Sequence, residues 1–224
     1  MKTSISFQKI LLAFFLFIGL LIFVRIVYSG KINYLFLVWN IFLAWVPLII
    51  SGSFKKITGS RKWKQLFVFC CWLVFFPNAL YIVTDLIHLE QETIVPKWFD
   101  AILIFSSSIV GLIMAFVSLF RVHQFLQFHF SSRITERLIV SILFLASFGV
   151  YLGRFLRWNS WDIISNPYGL IISIGERFIF PFQHLKTWGI TFILTTLFYL
   201  LYLIIKKLPD GVTTASSRQT PLND

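Results

Sequence analysis

Long apolar runs without charge alternate with short charged breaks along most of this chain. The first run is Ile10 to Val24 and extends past Arg25 to Tyr28. Others lie between Lys31 and Lys55, Lys64 and Asp85, Asp100 and Arg121, and Lys186 and Lys206, with one more from Arg137 to beyond Gly153. About 20 mostly apolar residues suffice for a helix to cross a bilayer. The pattern therefore predicts an all-α polytopic membrane protein. Six spans are expected, near residues 10–28, 34–52, 65–84, 100–120, 137–157 and 187–205, in one transmembrane domain over residues 1–208. Residues 209–224, rich in Pro, Gly, Thr and Ser, read as a disordered cytoplasmic tail.

One stretch breaks the pattern. Ile163 to Gly175 is uncharged but too short to span, and it carries Asn166-Pro167. Residues 163–181 are expected to re-enter the membrane or to lie along its surface. The first span also carries signal-peptide features, with Lys2 and Lys9 in front and Val27 and Ser29 as a cleavage-like pair. Arg25 and the length of the apolar run argue against cleavage.

Composition supports lipid exposure. Of 224 residues, 58% are hydrophobic and only 13% are charged, against about a quarter charged in soluble domains. The net charge of +11 has a topological cause, because basic residues concentrate in loops that stay inside. With both termini cytoplasmic, the inner side collects Lys55, Lys56, Arg61, Lys62, Lys64, Arg121, Arg133, Arg137, Lys206 and Lys207, among others. The loop between the third and fourth spans is acidic, with Asp85, Glu90, Glu92 and Asp100. No nucleic-acid partner is expected. Cys70 and Cys71 are adjacent within an apolar run and read as packing residues.

Candidate chemistry collects at the outer ends of two spans. Asn78, Tyr81, Asp85 and His88 are spaced three, four and three, which keeps them on one helical face. Pro77, just before them, removes a backbone hydrogen bond and leaves a carbonyl near Leu73 in need of a partner. The fifth span ends with Arg154, Arg157, Asn159 and Asp162. Ionisable groups inside a membrane are costly and point to function with a named partner. The expected pair is Asp85 with Arg154. Asp85 or His88 would be a general acid or base, with Tyr81 and Asn78 beside them. Arg154 and Arg157, with Asn159 and Asp162, would hold an anionic group. Alternatively, Asp85 and His88 sit at the interface bonded to water, and the two arginines snorkel to head groups. Gly149 and Gly153, and the series Ser107, Gly111 and Ala115, have the four-residue spacing of close helix contacts. Asn40 is expected to bond a neighbouring helix. A metal would draw on His88, His184, Asp85 and Asp162, but one Asp/His pair is a weak signal. No metal and no cofactor are expected.

The run Phe76-Pro77-Asn78-Ala79-Leu80-Tyr81, followed by Thr84-Asp85-Leu86 and His88-Leu89, resembles the signature of a bacterial membrane-protein family catalogued as domain of unknown function 1361. Leu80 stands where that family commonly has proline. Gly153-Arg154-Phe155-Leu156-Arg157-Trp158-Asn159-Ser160-Trp161-Asp162 resembles the family's second motif. The resemblance implies a multi-spanning inner (cytoplasmic) membrane protein and supplies no activity. Membrane lipids are the expected partners. Three readings stay open: an enzyme acting on a lipid or lipid-linked anionic substrate, a small transporter or channel subunit, and a structural or assembly partner.

Overall fold

The computed structural model describes residues 6–90 and 94–217; Glu92 of the acidic loop and the last seven residues lie outside them. The described residues form α1 (Phe7–Ser29), α2 (Phe36–Ser51), α3 (Phe54–Ile57), α4 (Lys62–Tyr81), α5 (Lys97–His129), α6 (Ser132–Leu156), α7 (Asp162–Ser165), α8 (Pro167–Ile179) and α9 (Leu185–Ser217). Two 3₁₀ segments, Ile82–Glu90 and Pro181–His184, extend α4 and precede α9. Six of these elements are long and apolar enough to cross a membrane. Their number is the six expected.

The central element is α5. Leu103, Ile104, Val110, Met114 and Leu119 along it are fully buried. Around it, α2 packs on α4 and α5, α6 on α4 and α9, and α1 chiefly on α5. Chain direction reverses at each turn, so the two ends of the described chain lie at one end of the bundle. The other end carries the Ile82–Glu90 segment, α7 and α8. Many large apolar side chains face outward, Leu16, Phe23, Phe67 and Ile193 among them. Such exposure is a liability in water and is what a lipid-facing surface requires.

Small residues set the closest approaches. A Cβ built on Gly111 would lie 2.2 Å from Ile82 Cγ2 and 3.3 Å from the Ala79 carbonyl oxygen. On α6, a Cβ at Gly149 would lie 2.8 Å from Pro77 Cγ, and one at Gly153 would lie 3.3 Å from the Tyr81 ring. The two α6 glycines thus receive two successive α4 side chains, one turn apart. Gly111→Ala is expected to destabilise the protein by about 1–3 kcal/mol, because the β-branched Ile82 cannot yield without moving its backbone. Gly175→Ala, where nothing lies within 4 Å, is expected to be neutral or to stabilise by about 0.5–1 kcal/mol. Thermal unfolding of the two variants in one detergent checks the contrast.

The short stretch after α6 does not cross the bundle. At 13 residues, α8 covers about 20 Å at 1.5 Å per residue, less than a hydrocarbon core. Leu170 and Ile174 pack on a patch formed by Phe148, Tyr151 and Leu152 of α6. Its opposite side exposes Tyr168, Ile171 and Ile179. Arg177 is buried and donates to the Ser173 carbonyl one turn back. At the other end of the bundle, α9 runs through Pro209 to Ser217. Residues 209–217 of the expected irregular tail are thus helical, and residues 218–224 lie outside the described residues.

Candidate functional site

The polar stripe on the third span survives a change of helix type. Asn78 and Tyr81 lie on α4, whereas Asp85 and His88 lie on the nine-residue 3₁₀ segment. Runs of 3₁₀ beyond three or four residues are uncommon and often mark functional or strained sequence. With three residues per turn, Asp85 and His88 stack on one face. The segment is held from both sides. The Thr84 hydroxyl donates to the Tyr81 carbonyl at 2.6 Å, and Ser108 Oγ on α5 lies 3.2 Å from the Ile82 carbonyl oxygen.

Asp85 is completely buried. Its Oδ1 accepts from Arg154 Nη2, and its Oδ2 accepts from Asn40 Nδ2 at 2.8 Å. Asn40 therefore reaches a neighbouring helix and also joins the polar cluster. Arg154 is more fully engaged than expected. Nε donates to the Thr84 hydroxyl at 2.7 Å, and Nη1 donates to His88 Nε2 at 3.2 Å. Its guanidinium carbon lies 4.1 Å from the centre of the Tyr81 ring. A guanidinium only donates, so His88 Nε2 accepts and His88 carries its proton on Nδ1 in this arrangement.

The second arginine goes elsewhere. Arg157 ends α6 in the left-handed conformation, φ 61°, with the Trp158 N–H returning to the Leu152 carbonyl at 3.1 Å. It is exposed. The two guanidiniums expected to share one anion therefore differ: Arg154 is bound to protein groups and Arg157 faces out. The helix stop between them separates their environments.

Asn159 and Asp162 build a turn of their own. Asp162 Oδ2 accepts from the Asn159 backbone N–H at 2.6 Å, and Oδ1 accepts from the Ser165 hydroxyl at 2.8 Å. These bonds hold the Asp162 carboxyl below the usual carboxylate range, the Asn159 N–H contributing most. The turn is therefore intact above that range and weakens as pH falls through the depressed pKa. Hydrogen exchange across residues 158–166 is expected to rise below about pH 4, and Asp162→Ala is expected to show the raised rate at neutral pH.

Ser160 was not singled out by its sequence. Its hydroxyl donates to the Val74 carbonyl at 3.0 Å and accepts from Asn78 Nδ2 at 2.9 Å. It thus supplies a partner inside the backbone break at Pro77, one carbonyl along from Leu73. Only the short loop after α6 could have signalled this, because a loop serine has no fixed address in sequence.

A cavity of about 240 Å³ opens above these groups, between α2, α4 and α6 and beneath α7 and α8. Asn78, Tyr81 and Asn159 of the expected site residues line it, together with Asn40, Ser160 and Trp158. Asp85, which bonds Asn40, is not among the lining residues, nor are His88, Arg154, Arg157 and Asp162.

Six apolar spans, with a buried ion pair and a cavity at one end of the bundle, define a polytopic helical membrane protein. The chain belongs to the family described as Protein of unknown function (DUF1361), whose model matches residues 39–201. That match runs from the residue before Asn40 into α9 and contains the whole candidate site. No curated protein and no solved structure matches the chain.

Proposed function

We propose that the cavity is the substrate site of a membrane enzyme acting on the head group of a lipid or lipid-linked molecule. The observation that carries this reading is the cavity itself: a small, largely apolar chamber on which several polar side chains converge, backed by a buried ion pair and bordered by lipid-facing helices. Polar groups converging in an otherwise apolar pocket are the usual mark of a ligand site. Tyr81 is the candidate catalytic residue, because its side chain lines the cavity. Its hydroxyl would move the proton, and the Arg154 guanidinium against its ring would stabilise negative charge developing on the phenol oxygen. Asp85, His88 and Thr84 are positioning residues that hold Arg154 in place. The concentration of basic residues in the loops at the opposite end supports an orientation with this end on the outer side of a cytoplasmic membrane and both termini inside.

A second polar cluster gives the transporter reading its support. At the opposite end of the bundle, Tyr202 Oη lies 2.6 Å from His123 Nδ1 and 3.3 Å from both Glu136 oxygens, and Lys206 pairs with Glu136. Between the two clusters, Phe76, Leu80, Val110 and Met114 are fully buried apolar side chains, which favours the enzyme.

Lipid extracts test the proposal by mass spectrometry. The strains are wild type, a deletion, and the deletion complemented with wild type, Tyr81→Phe or Asp85→Asn. One species is expected to accumulate in the deletion, clear with wild type and persist with both variants. Identical profiles with all proteins present in the membrane would sink the enzyme.

A further inference from the structure

We infer that the cavity selects a neutral, hydroxyl-rich head group, a glycosyl unit carried on a lipid, in preference to a phosphate. The inference rests on the reading of this cavity as the substrate site. It comes from counting which hydrogen-bonding atoms the lining residues have left over.

Three asparagines line the cavity, and the orientation of each amide is fixed by its partner. Asn40 turns its NH₂ to the Asp85 carboxylate, which cannot donate. Asn78 turns its NH₂ to Ser160 Oγ, whose own proton goes to the Val74 carbonyl. Asn159 turns its NH₂ towards the Asp162 carboxylate at 3.4 Å. The N–H so directed on each amide points at protein. What remains on each is its second N–H and the Oδ1 acceptor.

The Trp158 indole N–H is engaged and goes to Ser173 Oγ at 3.1 Å, whereas Tyr81 adds a hydroxyl that both donates and accepts. No lysine or arginine is among the described lining residues. The charge of the adjacent Arg154 is balanced by Asp85, and its Nε and both Nη atoms have protein partners.

A phosphate needs donors and positive charge. This wall offers donors but no cationic side chain, so the anionic substrate expected from the two arginines loses its support. A sugar hydroxyl both donates and accepts, which matches the N–H and carbonyl groups left on the three amides. Its C–H faces suit the electron-rich faces of Trp39, Tyr81 and Trp158, all in the lining. At about 240 Å³ the cavity falls just below the usual range for small-molecule sites, a size for one head group. The exposed apolar face of α8 beside it leaves the acyl chains in lipid.

The test is competitive retention by the detergent-purified full chain, read by native mass spectrometry. The probes are a monoglucosyl diacylglycerol, phosphatidic acid with the same acyl chains, and soluble methyl β-glucoside. The glucosyl lipid is expected to be retained at least tenfold over phosphatidic acid. Trp39→Ala, at the half-exposed rim, and Asn159→Ala are each expected to lower that preference at least fivefold. Equal or stronger retention of phosphatidic acid, or retention of neither lipid by folded protein, would overturn the inference. Displacement of the glucosyl lipid by methyl β-glucoside at equal concentration would overturn its lipid-borne part. Selective binding without any change in cellular lipids would remove the enzyme and keep the head-group class. A changed lipid profile without glucosyl selectivity would do the reverse.

Discussion

Asp85→Ala is expected to destabilise the protein by about 3–5 kcal/mol, and Asp85→Leu combined with Arg154→Met to recover most of that loss. The asymmetry follows from where the charges sit. Asp85 is fully enclosed and the Arg154 side chain is nearly so. Removing the carboxylate strands a guanidinium whose other partners, Thr84 and His88, are neutral. Removing both charges leaves a gap that apolar side chains fill. Thermal unfolding of Asp85→Leu, Arg154→Met and their combination gives the coupling directly. A coupling below about 1 kcal/mol, the size of an exposed pair, would show that the pair is not held in a low-dielectric site. Asp85→Asn separates structure from function in the same experiment. A folded Asp85→Asn that fails to clear the accumulated lipid makes the charge necessary to activity through its hold on Arg154. One that clears it leaves the stripe with a packing role.

The sequence disclosed this pair because both partners sit in uncharged surroundings at the same depth. Span number and order were legible for the same reason, since hydrocarbon forbids unpaired charge over about 20 residues. The GxxxG on α6 was legible as a close contact, but its counterparts Pro77 and Tyr81 were not, because helix neighbours are set by rotation about each axis. The Ile82–Glu90 segment read as α-helix. Steps of three and four fit α periodicity, and the step of three from Asp85 to His88 fits 3₁₀ equally well. Arg154 and Arg157 were expected to face one anion, and a local feature sets them in different surroundings. A non-glycine residue in the left-handed conformation stops α6 at Arg157, and nothing in the run of side chains announces it. Nothing in the sequence pairs Arg25 with Asp100, which stands 75 positions further along the chain.

Arg25→Met is expected to release α1 from the bundle while leaving the rest folded. Arg25 is 1% exposed. Its Nε and Nη2 donate to the two Asp100 oxygens at 2.8 and 3.1 Å. Its guanidinium carbon lies 3.7 Å from the centre of the Tyr34 ring. Tyr34 in turn reaches the His88 carbonyl at 3.4 Å, so α1 is tied through one side chain to the far end of the candidate site. Elsewhere α1 is lightly held. A cleft of about 820 Å³ separates it from α2, and its main neighbour is α5. Loss of one partner of a buried pair costs about 3–5 kcal/mol. Here that loss falls on a helix with few other contacts, so local detachment precedes global unfolding. Hydrogen exchange over residues 24–35 is expected to rise by two orders of magnitude or more, at about 1.4 kcal/mol per tenfold, while α5 and α6 stay protected. The family match begins at residue 39, so it includes Asp100 and leaves out Arg25. If exchange rises equally in α5, the pair stabilises the whole bundle. If it rises nowhere, α1 is held by lipid and packing, and the ion pair is incidental to its position.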